Sequence, residues 1–156
     1  MVARTPLHSL TSLDVVYDQV EETILRRQHP VTGLFPASTA VLASGDYSDA
    51  WVRDNVYSIV AVWALLKALG RNNYKPKRQE RLANAVQSCM RGLLKSMRSQ
   101  SDKIEAFKCS RDVSHALHAK FALKDGPAVV ADKAWGHLKL ALRRHGRGRG
   151  KATRRD

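Results

Sequence analysis

The sequence predicts an all-α fold built in layers, on three observations. A segment from Val56 to Leu69 is apolar almost all round, amphipathic segments stand before and after it, and the joints are loops with no convincing strand among them. A helix without an evident water-facing side has to be central, and its amphipathic neighbours have to lie outside it. At 156 residues and 44% hydrophobic content the chain is sized for one packed core.

The first helix is expected from about Leu13 to Ile24. Leu13, Val16, Tyr17, Val20 and Ile24 form one stripe, while Asp14, Asp18, Glu21 and Glu22 lie elsewhere. Thr11 or Ser12 is placed to cap it, and His29-Pro30 to stop it, because a residue before proline is pushed out of helical geometry. From Pro30 to Ser48 no period survives among the Pro, Gly, Ser and Thr residues, which predicts an ordered loop folded over whatever begins at Asp49. The apolar helix follows, with Gly70 as its expected stop. After the loop RNNYKPK a third, cleanly amphipathic helix runs from Arg78 to Met97 through Leu82, Val86, Cys89, Met90, Leu93 and Leu94. Beyond Ser101, DKIEAF reads as a short helix, SRDVSHALHAKF fits no single element, and DGPAVV reads as a turn followed by a short extended stretch.

The start of the chain lacks the apolar region of a secretory signal, and Val56–Leu69 falls short of the roughly 20 residues that span a bilayer. Cys89 and Cys109 show no disulfide or zinc-knuckle spacing. A cytoplasmic chain with no membrane span and no cofactor is expected. The net charge of +13 points to anionic partners in principle, but about half of the excess falls in the closing segment RRHGRGRGKATRRD.

The cluster with the most chemistry is Asp49-Ala50-Trp51-Val52-Arg53-Asp54-Asn55, at the entrance of the apolar helix. Asp54 suits the positive end of the helix dipole and Arg53 does not. An aromatic face that covers the C–H face of a sugar, beside charged groups that bond hydroxyls, is what a carbohydrate site uses. The same residues also fit an ordinary helix start with a core tryptophan and a surface ion pair.

The stretch GDYSDAWVRDNVYSIVAVWAL, with PVTGLFPAS before it, strongly resembles the N-terminal region of the phosphorylase b kinase regulatory α/β subunits. The resemblance continues through SCMRGLLKSM, DKIEAFK and LHAKF to AWGHLKL, spanning roughly Leu13 to Leu140. That family is similar to the glucoamylases of glycoside hydrolase family 15, whose domain is an (α/α)6 barrel. The resemblance therefore implies the N-terminal part of such a barrel, with Val56–Leu69 as an inner helix. It implies that Trp51, Arg53 and Asp54 bind a terminal sugar, joined by Lys120 and by Trp135 of a loop that closes over substrate. The pattern breaks at Ala122, where relatives carry Asn, and at Ala141, where they carry Asp.

After Leu140 the text turns to Arg/Gly alternation, which cannot bury enough surface to fold. The expected division is a partial helical domain over residues 8–140 and a disordered basic tail over residues 141–156. A shifted frame or retained intron in a G+C-rich gene produces such text; a genuine tail would bind RNA in a salt-sensitive way.

Inverting hydrolysis needs two carboxylates roughly 6.5–9.5 Å apart, and in glucoamylases both lie beyond the matched stretch, so no catalytic residue is assigned. The reading that results is a truncated regulatory subunit of glycogen or glucan metabolism that keeps half a sugar site. The alternatives are a fragment of a glucoamylase-like hydrolase and an RNA-binding tail on a helical scaffold. By resemblance the partners are a glucan or oligosaccharide, other kinase-complex subunits and calmodulin, and peripheral membrane attachment is allowed. Arg78, Arg81, Arg91, Lys95 and Arg98 give the third helix a basic face like that of a calmodulin target, or simply a solvated face. Cys109, His115 and His118 lack a fourth partner at metal-ligand spacing, and no metal is expected.

Overall fold

The structure, a computed structural model, describes residues 7–39, 41–42, 45–71 and 75–129. Four α-helices carry it: α1 (Leu7–Thr23), α2 (Val52–Arg71), α3 (Pro76–Arg98) and α4 (Ser101–Ser110). Short 3-10 turns follow α1 at Leu25–Arg27 and α4 at Val113–His115. The described residues are helical in all their main elements, as the layered pattern implies.

The boundaries differ from the pattern for local reasons. The chain leaves α1 at Thr23 through a 3-10 turn that buries Leu25, before His29-Pro30 is reached. Gly70 does not stop α2, which runs on to Arg71. Pro76 opens α3 at its first turn, where a missing N–H costs nothing, two residues ahead of Arg78. Strands are also present: β1 (Val41–Leu42) pairs with β2 (Gly45–Asp46), and β3 (Ala50–Trp51) pairs with β4 (Lys120–Phe121), both antiparallel. Two-residue strands are too short to display an alternating pattern.

The core lies between α2 and α3, the most extensively packed pair of helices, and is closed by α1 and the loop after it. On α2 the buried face is Asn55, Ile59, Val62, Leu65 and Leu69; on α3 it includes Leu82, Ala85, Cys89 and Leu93. Both follow the three-and-four spacing that keeps one stripe facing inward. The other face of α2 is a departure from the expected all-round burial, because Val56, Tyr57, Val60 and Trp63 are 42%, 72%, 52% and 50% exposed. One side of the apolar helix is therefore covered and the other open among the described residues.

The acidic stripe of α1 grips the first half of α3. Lys75 and Arg78 meet Asp14 at 2.8 Å each, Arg78 also meets Asp18 at 3.1 Å, and Arg81 meets Glu21 at 2.9 Å. Arg78 stacks 4.1 Å from the centroid of the Tyr17 ring, whose hydroxyl donates to Glu21 at 3.3 Å. Burial, then the neighbouring Glu21 carboxylate, raises the Tyr17 phenol above its ordinary value.

Candidate functional site

The site begins with the loop that enters α2. Leu34 and Phe35 are buried, and the Asn55 side chain binds the loop backbone: Phe35 N–H donates to Asn55 Oδ1 at 2.8 Å, and Asn55 Nδ2 donates to Phe35 O and to Trp51 O at 2.9 Å each. A fully buried amide is stable only with such partners. Asn55 thus fixes both the loop and the strand that carries Trp51. Cys89 donates weakly to Asn55 Oδ1 at 3.6 Å, and burial pushes its thiol up to about 12, which makes it a packing residue rather than a nucleophile.

The second wall is brought from far along the chain by Gln100. Its side-chain amide donates to His118 O at 3.0 Å and accepts from His118 N–H at 2.7 Å, so it acts as a short length of strand. Ala119 O then accepts from Val52 N–H at 2.9 Å, and Lys120 comes to lie opposite Trp51 in the β3–β4 ladder. The Lys120 ammonium is buried and meets Asp49 Oδ2 at 2.9 Å.

Of the residues expected to bind sugar, four are described, and the fold gathers them at one end of α2. Trp51 is half-buried on β3, Lys120 is its cross-strand partner, and Arg53 and Asp54 form the first turn of the helix. Arg53 Nη2 contacts Asp54 Oδ2 at 3.2 Å with the arginine largely exposed. Trp135 lies outside the described residues, as does the Arg/Gly-rich tail. Sequence reasoning missed Asp49 as the partner of Lys120 and Gln100 as the residue that carries Lys120 into place. Nothing in the sequence links positions so far apart, although a polar Asn55 at the mouth of an apolar helix was a visible signal.

Two ion pairs, Lys120–Asp49 at 2.9 Å and Arg53–Asp54 at 3.2 Å, accompany Trp51 at this end of α2, with ammonium and guanidinium groups as donors and carboxylates as acceptors. Clefts among the described residues lie elsewhere. One of about 230 Å³ runs between the Pro30–Gly33 turn and α3, another, of about 380 Å³, lies between Arg27, the Phe35–Thr39 segment and Ser58, and neither is lined by the four residues above. Among the described residues no cluster of three or more His, Cys, Asp and Glu side chains could hold a metal ion. His115 Nδ1 lies 2.8 Å from Ser110 Oγ, and Cys109 is exposed on α4. No helix of the described residues is long and apolar enough to cross a membrane.

The calmodulin-like face of α3 is divided by this fold. Arg78 and Arg81 are taken up by α1, whereas Arg91, Lys95 and Arg98 make no ion pair among the described residues.

Comparison with known proteins gives a consistent result. The family model described as "Glycosyl hydrolases family 15" matches residues 11–140. The chain is 47% identical over 141 residues to the rabbit (Oryctolagus cuniculus) phosphorylase b kinase regulatory subunit alpha, skeletal muscle isoform. It is 42% identical over 140 residues to the probable alpha subunit of Drosophila melanogaster, and 35% identical over 132 residues to the probable beta subunit of that organism. These alignments cover 88%, 88% and 85% of the chain but only 11%, 11% and 12% of the relatives, so the chain spans about a tenth of their length.

Proposed function

The chain belongs to glycosyl hydrolases family 15, and from that premise we propose that it serves as the sugar-recognising N-terminal part of a kinase regulatory subunit in glycogen metabolism. The names of its relatives, regulatory subunits of phosphorylase b kinase, support the regulatory role over a hydrolytic one. The observation that carries the sugar half-site is the pairing of Trp51 with Lys120 across the β3–β4 ladder, beside Arg53 and Asp54. Residues 8–140 form the domain in this reading, a glucan or oligosaccharide is its ligand, and other subunits of a kinase complex are its partners. Its place is cytoplasmic. Calmodulin is a weaker partner here, because α1 already occupies Arg78 and Arg81.

Titration of the full chain with a linear maltooligosaccharide, wild type against Asp54→Ala and Lys120→Met, tests the half-site. Saturable binding that weakens about tenfold in each variant is expected, the usual consequence of removing a charge-assisted hydrogen bond. Binding that is equal in all three proteins, or absent from wild type, removes the sugar site from the proposal.

A further inference from the structure

We propose that the cleft between the Pro30–Gly33 turn, the second half of α3 and the Asp125–Gly126 turn is a binding site for a hexose monophosphate. The cleft lies apart from Trp51 and its neighbours and does not depend on the sugar half-site.

Its walls are held in place before any ligand arrives. Gly33, at a positive φ of 72°, packs so closely on α3 that an added Cβ would sit 2.4 Å from Ser88 O, and a Cβ on Gly92 would sit 2.1 Å from Thr32 O. Gln28 Nε2 donates to Gly33 O at 2.8 Å and to Ala85 O at 2.9 Å, tying turn to helix. Thr32 Oγ1 donates to Leu123 O at 2.7 Å, tying the first turn to the second. Gly126 N–H donates to Ala122 O at 2.9 Å and closes that second turn. A site that need not be ordered on binding keeps more of its interaction energy as affinity.

The lining carries both cationic and carboxylate groups. Arg91 and Lys95 stand one helical turn apart on the same wall, and neither makes an ion pair among the described residues, in a protein where Lys75, Arg78 and Arg81 all do. Two such cations on one wall suit a dianionic phosphate ester, which arginine meets in a bidentate fork and lysine as a point charge. Asp125, on the second turn, supplies an acceptor for hydroxyl groups, and the Ser88 hydroxyl on α3 also lines the cleft. Pro30 and Val31, the latter 82% exposed, offer an aliphatic wall to the C–H face of a ring. At about 230 Å³ the cleft is smaller than the roughly 300–1,000 Å³ that holds a drug-sized molecule, so it suits one sugar ring with one charged substituent. Among the described residues the lining contains no aromatic side chain on which a nucleobase could stack, which separates a sugar phosphate from a nucleotide.

Calorimetric titration of the full chain at near-physiological salt with glucose 6-phosphate, inorganic phosphate and glucose tests this. Glucose 6-phosphate should bind saturably and more tightly than either of the others. The double variant Arg91→Gln/Lys95→Gln should weaken it about tenfold or more with an unchanged thermal midpoint. Asp125→Asn should narrow the preference for the sugar phosphate over inorganic phosphate. No saturable binding of glucose 6-phosphate overturns the proposal. So does binding that survives the double variant, which would mark anions gathered by the charge of the chain at large, and so does inorganic phosphate binding as tightly as the ester.

Discussion

Asn55 shows how one residue joins the fold to the site. Its amide makes three hydrogen bonds to buried or half-buried backbone, and two of them go to Phe35, twenty positions earlier in the chain. Asn55→Ala leaves the Phe35 N–H and carbonyl buried without those partners, and the cost of such orphaned groups is about 2–3 kcal/mol. Chemical denaturation should show that loss, and a change under about 0.5 kcal/mol, the range of an ordinary surface substitution, would deny Asn55 its structural role. The position was legible in the sequence as a polar residue at the mouth of an apolar helix, but its partners were not, because hydrogen bonding to a loop has no period. The same limit applies to Lys120. Resemblance singled it out, yet its ion pair with Asp49 and its delivery by Gln100 depend on chain contacts that no spacing encodes.

At the scale of elements, periodicity did most where a helix has one wet and one dry face. The stripe Leu82, Cys89 and Leu93 announced α3, and the acids between the apolar positions of α1 announced its polar side, though not that this side grips Arg78 and Arg81. That grip has a pH signature. The hydrogen bond from Arg81 holds the Glu21 carboxyl below the usual carboxylate range, against a smaller opposing effect of burial. A carboxylate lowered in the folded state contributes fully above its unfolded value of about 4.3 and loses the contribution as pH falls through the lower folded value. Glu21→Gln should therefore be less stable than wild type at neutral pH by up to about 1 kcal/mol, the ordinary size of a partly exposed pair, and the two proteins should converge towards pH 3. A gap that stays constant down the acid limb would assign the effect to packing instead. The contact between the Pro30–Gly33 turn and α3 carries a steric prediction. A Cβ at Gly92 meets Thr32 O at 2.1 Å and the Leu34 side chain at 3.1 Å, and the obstacle is backbone, which cannot step aside alone. Gly92→Ala should cost about 1–3 kcal/mol by overpacking, even though alanine favours the helix, and a stabilised variant in thermal melts would mean that the turn yields.

For the whole molecule the decisive feature is the second face of α2. The sequence showed that this helix is apolar all round, and only resemblance to a barrel family supplied the reason, since periodicity carries no information about how helices close into a ring. Asn55, Ile59, Val62 and Leu65 use one face against α3, while Tyr57, Val60 and Trp63 stand half or more exposed on the other, with Lys67 placed 5.5 Å from the centroid of the Trp63 ring. A contiguous apolar face of that kind drives association in water when nothing covers it. The net charge of +13 opposes association, but repulsion is screened beyond about 8 Å at physiological salt, whereas apolar contact is not. The 156-residue chain should consequently sediment as a concentration-dependent mixture, and raising the salt should shift it towards larger species. Val60→Lys, which places a charge in the middle of the face without touching the buried stripe, should move the distribution to monomer and leave the thermal midpoint within a few degrees of wild type. A wild-type chain that sediments as a monomer at every salt concentration would mean that this face is covered within the chain itself.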